Sequence, residues 1–177
     1  MASLDWILLN YTLPKDPSRI RVGIWRKLKR SGAVILGQSL WYLPKNDSNQ
    51  SFFKTLAQEI ESLGGTATLM NASALDEITE RRILDAFQNE RNEEYSELIE
   101  RCNALISELK SESDKGKFTF AELEENEDEF SKLTDWMARI KSRDFSNATL
   151  QSDAESALDQ SQKALQEFST KVYNHSI

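Results

Sequence analysis

The chain has 177 residues, a net charge of −7, 39% apolar and 29% charged side chains, which bounds it to one domain or a small domain with an extension. A single cysteine, Cys102, excludes an internal disulfide framework and a multi-cysteine zinc site, and a lone histidine, His175, leaves any catalytic triad dependent on the third residue from the C-terminus. No apolar stretch is long enough to span a bilayer and no cleavable leader is visible, so the sequence reads as a soluble cytosolic protein with no membrane partner.

The charge is unevenly placed. Residues 1–71 carry nine Lys/Arg against five Asp/Glu, and residues 72–177 carry thirteen against twenty-four. Trp6 to Leu13 is a short apolar run stopped by Pro14, as a buried strand would be. Asp16-Pro17 then predicts a helix start, with Asp16 as the cap and Pro17 in the first turn. Ile20, Ile24 and Leu28 form a helical stripe that Gly32 closes. Ala33–Leu36 and Leu40–Leu43 are strand-like, joined by Gly37-Gln38-Ser39 as either a tight hairpin or one strand bent at Gly37. Asn46–Asn49 reads as polar loop. Phe52, Phe53, Leu56, Ile60 and Leu63 mark a second helix, ended by Gly64-Gly65, and Thr66–Met70 a last strand. The order β-α-β-β-α-β within about seventy residues is the ferredoxin-like arrangement. Its most economical packing is an antiparallel sheet with both helices on one face.

From residue 74 the composition turns helical. Leu84, Phe87, Arg91, Tyr95, Leu98, Cys102, Leu105 and Leu109 recur at the helical repeat, predicting a helix over about 75–112. At roughly 55 Å it is longer than the sheet domain and is expected to project from it. Thr119-Phe-Ala-Glu122 is a capping box opening a second helix, with Phe120, Leu123, Phe130, Leu133, Met137 and Ile140 inward. Leu150, Ala154, Ala157, Ser161, Ala164, Phe168 and Val172 give a third helix with a small-residue seam. The reading is an α+β protein: a ferredoxin-like sheet domain over 1–73 and an acidic three-helix antiparallel bundle over 74–177.

The strongest chemical feature is the first helix. Lys15, Arg19, Arg21, Arg26, Lys27, Lys29 and Arg30 face one acid, Asp16, and Trp25 lies among them. A basic helix with one aromatic can contact nucleic-acid phosphates, here through Arg19, Arg21, Arg26, Lys27, Lys29 and Arg30. The alternative is a solvated face, or one that pairs with the acidic bundle of the same chain. The run Glu122, Glu124, Glu125, Glu127, Asp128, Glu129 surrounds a helix, so few carboxylates converge and a solvated face is preferred to a metal site. Glu97, Arg101 and Glu108 would line a polar cavity if the bundle encloses one. Cys102, on the apolar seam, reads as a buried inert thiol. No phosphate loop, dinucleotide fingerprint or zinc spacing is present, and neither a cofactor nor an enzymatic constellation is expected.

Several ordered segments resemble one family. Trp6–Pro14, Ser18–Arg30, Gly32-Ala-Val with Ser39–Pro44, Phe87–Leu98, Phe118–Asn126 and Arg143-Asp-Phe145 are similar to the N-terminal domain of the ChrB chromate-resistance regulators. The resemblance implies a chromate-responsive transcriptional regulator with a role in controlling a chromate efflux operon. Binding of DNA through the basic helix is expected with it, and so is a homodimer joined through the sheet edge or the long helix, because a lone site offers few contacts. Two other readings accompany it. One is a sensor of chromate or a similar oxyanion, held at the start of the first helix by Ser18, Arg19 and Arg21. The other is a protein-interaction module acting through the bundle. More distantly, the sheet half resembles the small CRISPR-adaptation protein of ferredoxin-like fold and the C-terminal part of phenylacetate-catabolism repressors. The first of these ends its first strand with a Tyr-Asp pair whose Asp binds metal. Here Tyr11-Thr12 stands in its place, and a neutral hydroxyl does not hold Mg²⁺ as a carboxylate does, so no nuclease activity is expected.

Overall fold

The structure is a computed structural model that describes residues 4–175. In chain order these form β1 (Asp5–Thr12), α1 (Ser18–Ser31), β2 (Val34–Leu36), β3 (Leu40–Pro44), α2 (Asp47–Ser62), β4 (Thr66–Ser73), α3 (Glu77–Asp114), α4 (Phe120–Ser142) and α5 (Gln151–His175). The strands make one sheet in the order β2-β3-β1-β4, every neighbouring pair antiparallel. This is the α+β, ferredoxin-like topology predicted from the sequence. The chain divides into two compact units, residues 1–90 and 91–177, with α3 running through the division.

In the first unit, strand alternation splits the apolar run of β1 between two cores. Ile7 and Leu9 point to the side carrying α1 and α2, where Trp41, Leu43, Ile24, Leu28, Phe53, Leu56 and Ile60 are buried with them. Trp6 and Leu8 point the other way and pack with Val34, Ile83 and Phe87, the Trp6 and Phe87 rings stacked at 5.4 Å. The beginning of α3 therefore covers the second face of the sheet. That explains why Trp6–Leu9 is uninterruptedly apolar: a strand buried on both faces has no polar alternation to show. Each such side chain contributes about 1.5–3 kcal/mol by burial.

Three local readings change or settle. Residues 33–43 are a tight hairpin, Val34 opposite Tyr42 and Leu36 opposite Leu40. α1 begins at Ser18, with Pro17 rather than Asp16 in the cap position and no side-chain cap bond. Asn46–Asn49 is not loop: Asn46 accepts a 2.8 Å hydrogen bond from the Asn49 backbone N–H and starts α2. A run of polar residues looks like loop until one of them caps a helix. At Gly65 the backbone passes so close to β1 that an added Cβ would sit 2.2 Å from the Thr12 carbonyl oxygen. Only glycine fits this approach between the end of α2 and β4.

The second unit is built from the remainder of α3 with α4 and α5. Tyr95, Leu98, Cys102, Leu105 and Leu109 of α3 are buried with Leu123, Leu133, Met137 and Ile140 of α4 and with Ala154, Ala157, Leu165, Phe168 and Val172 of α5. The small-residue seam has a use here. Ser161 is fully buried and its hydroxyl donates to the Cys102 carbonyl (3.3 Å) and to the Ala157 carbonyl (3.0 Å), which brings α5 against the α3 backbone. Thr119 caps α4, accepting from the Glu122 N–H at 3.2 Å, as the capping box predicts. Phe120, expected inward, is 52% exposed and meets Tyr173 edge-on at 5.4 Å. It stands in the first turn, ahead of the buried stripe that starts at Leu123.

Candidate nucleic-acid interface

The basic helix α1 lies on the first unit with Ile24 and Leu28 buried against the sheet. At 100° per residue, Arg19, Arg26 and Arg30 fall within about 40° of one another on the opposite, outward side. All three are exposed, and among the described residues none makes an ion pair. They span roughly 16 Å along the helix at 1.5 Å per residue. The other cations are distributed differently. Lys27 turns toward α2 and donates to both oxygens of Glu59 at 2.6 Å. Lys29 is hydrogen-bonded to the Glu90 carboxylate of α3.

Arg21 sits on the flank away from α2. With Trp25 it lines a groove of about 310 Å³ whose other walls are Tyr11, Leu13, Ile35, Gln38, Ser39 and Trp41. Trp25 is 49% exposed and Ile35 38%, so one ring face and one aliphatic side chain are open beside the arginine row. Burial pushes the Tyr11 phenol above its usual range, which keeps it a neutral hydroxyl there. Sequence reasoning found Trp25 but not this groove, because Tyr11, Ile35 and Trp41 come from strands that only the tertiary pairing brings beside α1.

Ser18, Arg19 and Arg21 are adjacent in sequence but do not converge. Arg19 and Arg21 are two residues apart, about 200° around the helix axis, so a single arginine accompanies Ser18 at the helix start. The first turn of α1 holds no acidic residue and its N-terminal N–H groups receive no side-chain cap. At the end of β1, Thr12 donates to or accepts from Thr66 at 2.7 Å.

Within the second unit the polar features are chiefly structural. Glu97 is exposed, while Arg101 and Glu108 lie along an open groove of about 540 Å³ between α3 and α4, edged by Glu124, Glu125, Asp128, Glu129 and Lys132. Arg101 is paired with Glu129 at 3.0 Å. Among the described residues no three His, Cys, Asp or Glu side chains are grouped to hold a metal ion. Cys102 is buried and burial pushes its thiol up. A network that sequence reasoning missed holds the segment between α4 and α5. Asp144 accepts from the Tyr95 hydroxyl (3.2 Å) and from the N–H groups of Ser146 (3.2 Å) and Ala148 (3.0 Å). Glu94 bridges buried Arg91 (3.0 Å) and Arg143 (2.6 Å). Asn92 accepts from the Leu150 N–H at 3.0 Å and donates to Thr149 at 3.1 Å. Arg91 on an apolar stripe was the available signal, since a cation in that place needs partners.

The profile of the family described as Protein ChrB, N-terminal, matches residues 21–177. The chain belongs to the ChrB N-terminal family. A Protein ChrB from Cupriavidus metallidurans is 30% identical over 112 residues, a match covering 63% of this chain and 34% of that protein. The chain thus spans about a third of the length of that curated relative over the matched part. No solved structure gives a significant match. Two of the segments that carry the ChrB resemblance, Phe87–Leu98 and Arg143-Asp-Phe145, supply the Asp144 and Glu94 networks. In this member of the family these bonds hold the α4–α5 connection. Among the described residues, no helix is long and apolar enough to cross a membrane.

Proposed function

We propose that the chain is a non-enzymatic, cytosolic regulatory module that binds DNA as a homodimer through α1, within a ChrB-type chromate-responsive regulator. The observation that carries this reading is the row Arg19, Arg26 and Arg30, exposed, making no ion pair among the described residues, and on a helix face that holds no acid. Three guanidinium groups along roughly 16 Å can meet successive backbone phosphates, and phosphate contacts supply most of the affinity for DNA. Lys27 and Lys29 are already engaged with Glu59 and Glu90 and contribute a positive background rather than contacts. The Trp25–Arg21 groove adds an aromatic surface beside the phosphate row, where a base edge or sugar can pack. Family membership supports the chromate-resistance setting. The test is binding to the promoter region of its own gene. Arg26→Glu/Arg30→Glu with unchanged circular dichroism is expected to lose binding at least tenfold; unchanged binding sinks the reading.

A second reading rests on the uncapped start of α1. With no acid in its first turn and no side-chain cap, it offers its positive end and Arg19 to a tetrahedral dianion. Calorimetry with chromate and with sulfate separates the two, since heat at millimolar anion that Arg19→Ala abolishes belongs to a sensor. In a third reading the acidic α3–α4 groove takes a protein partner. Capture of that partner would then survive charge reversal of α1.

A further inference from the structure

The sheet has two unequal edges. One is β2, three residues long. The other is β4, eight residues long, paired with β1 along one side and, among the described residues, with no strand on the other. A long edge normally carries a lysine, a proline or a bulge that discourages pairing with another chain. β4 reads Thr-Ala-Thr-Leu-Met-Asn-Ala-Ser and has none of these, nor any charge. Leu69 and Ala67 belong to the core on the α2 side but stop at the edge half-covered. Met70 in the strand, Leu75 in the segment leaving it and Ile78 in the first turn of α3 are 44%, 99% and 74% exposed. An uncharged ladder of unpaired backbone groups with exposed apolar residues beside it is an unfinished interface.

The helix above this edge narrows the choice of partner. α2 packs over β1 and β4, and Glu59 marks its flank toward α1 through the bond from Lys27. Gln50, Lys54, Ala57 and Glu61 lie about 140–180° around the axis from Glu59, on the flank toward the free edge. Lys54 and Glu61 are both exposed, and among the described residues neither makes an ion pair. They are placed two turns apart, on either side of Ala57. A two-fold axis through that region sets each lysine against the glutamate of the other copy, so the flank is complementary to itself.

We infer that β4 and the Lys54–Glu61 flank of α2 form a symmetric interface with a second copy of this chain, joining two sheets edge to edge. Side chains directly opposite in an antiparallel pair point to the same face, so the axis must pass through a residue. Leu69 is that residue. It lies on the face beneath α2, and with the axis there Ala67 falls opposite Asn71 and Thr68 opposite Met70 of the second copy. The two Leu69 side chains then close the core that ends at the edge in a single copy. Backbone bonds form along the ladder, and Lys54 pairs with Glu61 of the second copy twice. The proposal names the surface for the homodimer proposed above, and its test does not involve DNA.

Sedimentation equilibrium at micromolar concentration reads the oligomeric state. The wild type is expected to be a dimer of about twice 20.3 kDa. Lys54→Glu faces Glu61 with a like charge and should weaken the dimer at least tenfold, and Lys54→Glu/Glu61→Lys should restore it. Both residues are exposed on a helix, so neither change threatens folding. In a Cys102→Ser background, Leu69→Cys should oxidise to a covalent dimer, because residues opposite across such a pair bring their Cβ atoms within about 5.5 Å. A monomeric wild type at about 100 µM, a dimer indifferent to Lys54→Glu, or absence of the Leu69→Cys cross-link each overturns the inference. A dimer that does not bind DNA leaves this interface standing and overturns the DNA reading; a monomer that binds DNA does the reverse.

Discussion

Removing the Asp144 carboxylate tests whether the segment between α4 and α5 is fixed as the geometry indicates. Asp144 accepts from the Tyr95 hydroxyl, the Ser146 N–H and the Ala148 N–H, all within 3.2 Å. Hydrogen bonds to a charged group contribute about 1.5–3 kcal/mol each, though bonds sharing one acceptor do not add fully. Ala148 is 4% exposed, so its N–H has little access to water if the carboxylate goes. Asp144→Ala should therefore cost about 2–4 kcal/mol, and Tyr95→Phe, which removes one of the bonds, about 1–2. Because the pair touches, the double variant should cost less than the two single losses together, by about 1 kcal/mol. Urea unfolding followed by circular dichroism reads these values from midpoints at constant slope. A loss below about 0.5 kcal/mol for Asp144→Ala would show that the segment is held by something other than this carboxylate.

Further outcomes follow from single environments. Burial, then the hydrogen bond and charge of Glu122, push the Glu112 carboxyl from its ordinary 4.5 up to about 7, with the hydrogen bond from Asn126 opposing. The folded chain thus holds this proton more tightly than the unfolded one, and stability declines as pH rises from about 4.5 to about 7. Glu112→Gln should remove that decline and gain about 1–2 kcal/mol at pH 8 after allowing for screening, measured as urea midpoints at pH 5 and pH 8. Gly65→Ala puts a Cβ against the Thr12 carbonyl and should cost about 2–3 kcal/mol, lowering the melting temperature of the first unit's unfolding step. Cys102 should react with a thiol reagent only at the rate of unfolding, since the thiol is buried and raised; prompt reaction in the folded protein would contradict its place in the core.

Much of the architecture was legible because it is written in period and punctuation. The helical repeat from Leu84 to Leu109, the Thr119 cap and the Gly32 stop each encode a local cause, and each appears where expected. The readings that changed depended on partners distant in sequence. Trp6 and Leu8 gave no hint that α3 would cover them, because a strand buried on both faces looks the same whichever element does the covering. Asn46 looked like loop because a cap is defined by the helix it starts. For the basic helix, the count of cations was visible but their division was not. Only the neighbours Glu59 and Glu90 separate Lys27 and Lys29 from the outward row Arg19, Arg26 and Arg30.

That row is the central claim, and the salt dependence of DNA binding tests it most directly. Each phosphate contact made by an arginine adds about −0.9 to the slope of log K against log salt concentration. With the promoter duplex, the triple variant Arg19→Ala/Arg26→Ala/Arg30→Ala should make that slope shallower by about 3 per chain while its circular dichroism stays that of the wild type. A slope and affinity unchanged from the wild type would contradict the assignment of these arginines to DNA.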